Sequence, residues 1–335
     1  FETPTSSKFN ILEIENISDE GIELLNYIPV ESELKESIVK IPNIVNSSNL
    51  HLIGNVKIVN NLWNNDISID RYGDITNSIL SINGNLYLKG SILNIDKKEI
   101  NISQNIYHTG GTLNLGSGKL TIGGDYKIAT ESKDENGKVV YDKSEGSLIM
   151  EDENGYIKVY GDFIMNSYTK SNTNSSNKNK LSAGTLEIKG DFSQKVVAGA
   201  RSDNFYSTGS HKVILSGDKL QKISFETPTS SKFNILEIEN ISDEGIELLS
   251  DIKVEMSIKE PINKVPVIKN VKNFIFGINL KIINGIWSND LRVREDWNIS
   301  SQDLTIKENL IQSGGRLNLG SGKLTIEGDY KIATE

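Results

Sequence analysis

The chain has 335 residues, a formal net charge of -9 from 36 Lys and Arg against 45 Asp and Glu, and no cysteine. That length holds one elongated domain or two to three globular ones, and the acidic balance opposes a nucleic-acid role or electrostatic capture by anionic lipid. Disulfides and thiolate chemistry are excluded, and no run approaches the ~18 apolar residues that span a bilayer.

The first block, FETPTSSKFNILEIENISDEGIELL from Phe1 to Leu25, recurs letter for letter from Phe225 to Leu249, an offset of 224. A period-two alternation of apolar and polar residues, as at Ile235, Leu236, Glu237 and Ile238, predicts strands with one face buried and one solvated. The best helical candidate is Asp19 to Leu25, about two turns at most. Next along the chain, Leu50 opens a motif of apolar, any, apolar, any, usually Gly, then Asn or Asp, then apolar. It reads LHLIGNV from Leu50, LSINGNL from Leu80, INISQNI from Ile100, LTIGGDY from Leu120, IKVYGDF from Ile157 and LEIKGDF from Leu186. The second copy repeats it as FIFGINL, LTIKENL and LTIEGDY.

A second long block, GGTLNLGSGKLTIGGDYKIATE from Gly110, returns almost unchanged from Gly314, at an offset of 204 instead of 224. The stretch LTIKENLIQSGG from Leu304 fits both LSINGNLYLKGS from Leu80 and INISQNIYHTGG from Ile100. Both fits hold only if the segments around Asn85 and Asn105 are equivalent units one step apart. The unit inside the long repeat is therefore a rung of 20 residues, and the second copy lacks one rung. A stack of coils tolerates such a loss, whereas a compact domain does not.

The expected fold is all-β, a parallel β-solenoid with rungs of about 20 residues and hairpin or loop insertions. Residues 1–224 form the first long repeat and 225–335 a partial second one that continues the same solenoid. The Gly-Asn or Gly-Asp pair marks the rung corner, where both residue types tolerate positive φ. Stacked corners place Asn and Asp side chains above one another, in reach of hydrogen-bonded ladders. The polar stretches ESKDENGKVVYDKSEG from Glu131 and NSYTKSNTNSSNKNK from Asn166 read as excursions that leave the rung and return, and as candidates for lateral contacts. A β-sandwich string is the rival fold, but it does not explain a deletable rung.

Residues with chemical potential are few. His51, His108 and His211 share no ligand spacing, so no metal site is expected. Asp134, Asn136 and Asp142 resemble a short calcium loop without its full pattern; hairpin turns at Asn136-Gly137 and Asn154-Gly155 are expected instead. The nearest approach to a catalytic cluster is Asn64, Asn65 and Asp66 beside Trp63, echoed by Ser288, Asn289 and Asp290 beside Trp287, and one carboxylate without a partner acid reads as a turn. Trp63 and Trp287, at strand period beside Leu62 and Ile286, are expected in the core; Trp297 has no counterpart. No catalytic, cofactor-binding or metal-binding residue is assigned, and no cofactor is expected.

The segment AGTLEIKGDFSQ from Ala183 and the stretch from Asn204 to Asn240 resemble repeats in very large surface proteins of low-GC, clostridial-type Gram-positive bacteria, of a filamentous-haemagglutinin-like kind. The residues that carry the likeness are Ala183, Gly184, Thr185, Leu186, Gly190, Asp191, Phe192 and Gln194, then Gly209, His211, Lys212, Val213, Leu215, Gly217, Gln221, Phe225, Pro228, Phe233, Asn234 and Leu236. The resemblance implies an exported, tandemly repeated β-solenoid with a structural or adhesive task at the cell surface, and it supplies no catalytic residues. The copies differ most between Asn26 and Thr109 and between Ser250 and Ser313.

Both ends of the sequence cut a repeat in mid-unit, as a window on a longer polymer does. The leading expectation is a non-catalytic segment of an extracellular fibre, stalk or tube, whose partners are neighbouring repeats and other copies of the same protein. An adhesin that binds host or matrix glycans is the alternative, and a polysaccharide lyase or hydrolase on a β-helix the remote one. Nucleic acid and membrane insertion of this segment are not expected.

Overall fold

The structure is a computed structural model and describes residues 7–70, 72–167, 180–196, 202–300 and 302–333. The chain winds through about 14 coils, averaging about 22 residues each, into a parallel β-solenoid. Apart from the antiparallel pair Thr130–Lys133 and Val139–Asp142, the strand pairings among the described residues are parallel. A single coil has no partner for its backbone hydrogen bonds, and only stacking above and below supplies them.

Each regular coil contributes to three faces. Face one holds Ile79–Ile82, Glu99–Ile102 and Lys119–Ile122, and continues through Tyr156–Val159, Thr185–Ile188 and Lys212–Leu215 to Phe233–Ile238. Face two begins at Leu86 and Ile106 and continues through Tyr126–Ile128, Phe163–Met165, Phe192–Gln194 and Gln221–Phe225 to Ile246–Leu248. Face three carries Ile92, Leu93 and Asn94 beside Thr112, Leu113 and Asn114, with Ser147–Ile149 next. Strand Gln221–Phe225 runs through the boundary between the two copies, so the hydrogen bonding does not pause there.

The 20-residue pitch is explicit where the coils are plain: Ile79 pairs with Glu99, and Glu99 with Lys119. Elsewhere the coils are longer, because Lys119 pairs with Tyr156 and Tyr156 with Thr185. The first excess is the excursion from Glu131, whose Asn136-Gly137 turn joins Thr130–Lys133 to Val139–Asp142 with Gly137 at φ 76°. Residues 168–179 of the second excursion lie outside the described residues.

The missing rung also has a place. Trp63 pairs with Ile82, and Trp287 with Ile306, so coil 303–306 takes the position of coil 79–82. The coil after it, Lys323–Ile326, follows at the ordinary step of Asp303 to Lys323, but its sequence is that of Lys119–Ile122. One coil is gone and the pitch is kept.

Period-two alternation sets the core. Leu80, Ile82, Ile100, Ile102, Leu120 and Ile122 are buried, while Ser81, Asn101 and Thr121 between them are half-buried on the outside. Where coils widen, aromatic rings fill them: Phe163, Phe192, Phe205, Phe225 and Phe233 pack with centroids 4.9 to 6.1 Å apart. Trp63, Trp287 and Trp297 are all in the core, as expected for the first two.

Several local expectations need correction. Asp19 to Leu25 is no helix: it is a loop followed by the strand Ile22–Glu23, held by the Ile22 N–H bond to Asn43 O on the next coil. Asn154-Gly155 turns the chain from face three into face one, so it is a corner and not a hairpin. LHLIGNV and FIFGINL are not equivalents of the other motifs, because Leu50–Leu52 and Phe274–Phe276 pair with Ile28 to Val30 and Ile252 to Val254, ahead of face one. In this variable region rows also shift, with His51 and Leu52 beside Ser68 and Ile69.

The corner glycines act differently from the expectation. The corner positions Gly84, Gly124, Gly161 and Gly190 are not among the residues at positive φ. Close stacking demands them: a Cβ on Gly161 would lie 2.7 Å from the carbonyl of Gly124, and one on Gly190 2.4 Å from that of Gly161.

Candidate functional site

The corner that follows Trp63 is the place where the sequence comes nearest to a cluster of reactive groups. Trp63 points inward and donates its indole N–H to Asp66 O at 3.2 Å, which fixes a tight turn over residues 63–66. Its equivalent, Trp287, does the same to Asp290 O at 3.0 Å. The chain then enters face two at Ile67 and at Leu291.

A second carboxylate, missed in the sequence, lies at this corner. Glu36, on the preceding coil, is buried and accepts the Asn64 backbone N–H at 2.8 Å and an Asn65 side-chain N–H at 3.5 Å. In the second copy Glu260 accepts the Ser288 N–H at 2.7 Å and an Asn289 side-chain N–H at 3.0 Å. Burial pushes both carboxyls above the usual range, against the opposing pull of these donors. A signal was present: Glu36 and Glu260 coincide at the 224-residue offset inside the segment where the copies diverge.

Asp66 is occupied as well. Its Oδ1 accepts the backbone and side-chain N–H groups of Asn85 at 2.8 and 3.0 Å. Asn85 Oδ1 in turn accepts from Asn105 N at 3.0 Å, Asn105 Oδ1 from Asp125 N at 2.7 Å, Asp125 Oδ1 from Asp162 N at 2.9 Å, and Asp162 Oδ1 from Asp191 N at 2.8 Å. In the second copy Asp290, Asn309 and Asp329 repeat the arrangement. The expected Asn and Asp ladder exists, with each side-chain oxygen receiving the backbone N–H of the next coil. Asp66 and Asp290 are its first members, in place of Asn55 and Asn279.

The other candidate groups are dispersed. Asp134 Oδ1 accepts the N–H groups of Asn136 and Lys138 at 2.9 Å, and Asp142 Oδ2 accepts from Ser132 at 2.8 Å, so these acids shape the hairpin. His108 is fully buried between Tyr126 OH at 3.1 Å and Gly111 O at 3.3 Å, and burial lowers its pKa to about 4. His211 meets Ser207 Oγ at 2.8 Å and falls to about 3 by burial. His51 stacks on Tyr27 and falls to about 4, through burial first and the nearby Lys89 second. Among the described residues no three His, Asp or Glu side chains gather where they could hold a metal ion.

Among the described residues, two adjoining shallow recesses open largely on the second copy. One of about 550 Å³ is lined by Asn279, Asp296, Asn298, Arg316 and Asn318 above the buried Trp297. The other, about 600 Å³, adjoins it through Ile278 and Asn279 and reaches Asn234, Glu255 and Met256. No protein-family model, curated protein or solved structure matches the chain.

Proposed function

We propose that this chain is a non-catalytic structural segment of a long extracellular fibre, stalk or tube at a bacterial surface. The observation that carries the reading is the coil lost between the copies without change of pitch: the step from Asp303 to Lys323 equals that from Ile79 to Glu99. A molecule whose task is length and surface tolerates such a change, whereas one built around a fixed constellation of reactive groups loses it. The engagement of Glu36, Asp66, Glu260 and Asp290 as backbone acceptors supports the same reading. Negative-stain electron micrographs of the native protein are expected to show unbranched rods; short isolated particles would overturn the proposal.

The adjoining recesses give the adhesin reading a specific basis. Asn234, Asn279, Asn298 and Asn318 line a shallow, amide-rich surface of the kind that hydrogen-bonds sugar hydroxyls. A glycan array with no binding would remove it.

A further inference from the structure

The corner between faces one and two is enlarged at two places on each copy. Residues 83–85 suffice for a plain coil, but residues 15–21 and 37–43 project from consecutive coils, as do 239–245 and 261–267. The projecting loops carry apolar side chains into solvent: Ile38 is 82% and Val39 84% exposed, with Ile17 and Ile41 beside them. Ile262 is 80% exposed, with Ile241 and Val265 beside it. The apolar character recurs although Ser37 and Val39 give way to Pro261 and Asn263 in a segment where the copies diverge.

These loops are built and not slack. Asn16 Oδ1 accepts the Ser18 N–H at 2.9 Å, Asn16 Nδ2 donates to Gly21 O at 2.9 Å, and Lys40 bridges to Asp19 on the neighbouring loop. Asn240, Ser242 and the Lys264–Asp243 bridge at 2.8 Å repeat the construction. Little ordering entropy remains to be lost on contact, which favours association.

From this we infer that the two ridges are lateral docking surfaces for a second copy of the same chain, a step that rests on the fibre reading. Glu36 and Glu260 head ridges nine coils apart along face one, a spacing of ~43 Å at ~4.8 Å per coil. A partner that engages both ridges needs sites at the same interval, and a chain with the same repeat has them in either direction. Two such contacts on one rigid rod reinforce each other. Each ridge also carries a lysine and an acid, Lys40 with Asp19 and Lys264 with Asp243, so a like ridge offers the opposite charge to both. An anionic bilayer does not, given the net charge of -9.

Sedimentation velocity across a concentration series tests this on the chain itself, beside the double variant Ile38→Asp, Ile262→Asp. The native chain is expected to associate, and the variant to lose that association, a drop of about two-fold or more in mass, with unchanged circular dichroism. A native chain that stays monomeric, or association that the substitutions leave intact, overturns the inference. Native binding to phosphatidylcholine vesicles without self-association overturns it in favour of lipid. Micrographs separate the two levels: single rods that never pair defeat the docking surface alone, whereas absence of rods defeats the fibre reading.

Discussion

Asp125 donates its backbone N–H to the Oδ1 of Asn105 at 2.7 Å, and Asn105 donates its own to Asn85 at 3.0 Å, so one residue acts as donor and acceptor in the same column. Removing the acceptor leaves a corner N–H on the next coil unpaired. Asn105→Ala is expected to cost ~1–3 kcal/mol of local stability, and hydrogen exchange at the Asp125 amide reads it directly. Asn105→Asp retains the oxygen, so exchange there is expected to slow back towards the native rate. Equal exchange in all three proteins would show that the column carries no load.

Asp162 occupies a less comfortable place in the same column. Burial raises its carboxyl above the usual range, and the like charges of Asp125 and Asp191 add to the shift. A carboxyl whose folded pKa is raised contributes stability below its unfolded pKa and loses it as pH rises through the folded value. Asp162→Asn keeps the Oδ1 that accepts from Asp191 and removes the charge. The variant is therefore expected to melt higher than the native protein at pH 7 to 8, by ~0.5–1 kcal/mol in local stability. At pH 3 the difference is expected to vanish; a lower melting point at both values contradicts the argument.

Much of this architecture is legible in the sequence, because a repeat prints its physical period into its own alignment. The two competing fits of Leu304 to Gly315 gave the coil length, and alternation gave the inward positions Leu80, Ile82, Leu120 and Ile122. The pattern alone did not resolve which face a motif belongs to. LHLIGNV has the letters of a corner, yet its Gly54 is required by Glu31 O, 2.4 Å from where a Cβ would lie, on a different edge of the coil. Glu36 left only its coincidence with Glu260 at the 224-residue offset as a sign, because its donors at Asn64 and Asn65 come from a later coil, and a separation of 28 to 29 residues leaves no local trace. Nothing in the apolar letters of Ile38 and Ile41 separates them from strand residues; only the loop lifts them off the core.

Coil deletion is the sharpest test of what the fold obeys. Removing residues 99–118 joins Lys98 to Lys119 and places Lys119–Ile122 where Glu99–Ile102 was, in register with Ile79–Ile82. The product is expected to keep its β-sheet spectrum and to shorten by ~4.8 Å in solution scattering. Removing residues 99–108 instead takes half a coil, including the face-two residues Ile106 to His108, and sets Thr109 to Thr112, which lead into face three, against face one, so it is expected to unfold the central region. Equal tolerance of both deletions would mean that coils are not the folding unit.

Trp63 fills its coil from the inside, with its N–H satisfied by Asp66 O. Trp63→Ala leaves a cavity and frees the turn that starts the acidic ladder, a loss of ~3–5 kcal/mol. Chemical denaturation followed by circular dichroism checks the size. Trp63→Phe retains most of the volume but not the N–H, and is expected to fall between the two. A cost below about 1 kcal/mol for Trp63→Ala would place the ring outside the core.

Three buried histidines set the response to acid. Burial lowers His51 and His108 to about 4 and His211 to about 3, from an ordinary value of 6.5. A histidine with a depressed folded pKa stays neutral in the coil while the unfolded chain takes up a proton, so stability is lost as pH falls from 6.5 to the folded value. For His108 the span corresponds to a loss on the order of 3 kcal/mol. Glu36 and Glu260 act in the opposite sense, since their raised carboxyls favour the folded chain as they protonate. Their gain accrues as pH falls from their raised folded values towards 4.5 and offsets part of the histidine loss over that lower range. The melting temperature is therefore expected to fall most steeply just below pH 6.5 and less steeply towards 4.5, and His108→Gln with His211→Asn is expected to reduce the upper slope whatever it does to the melting point at pH 7.5. A slope unchanged by the double substitution would assign the acid loss instead to carboxyls held below the usual range against the pull of burial, such as Glu187 and Glu237.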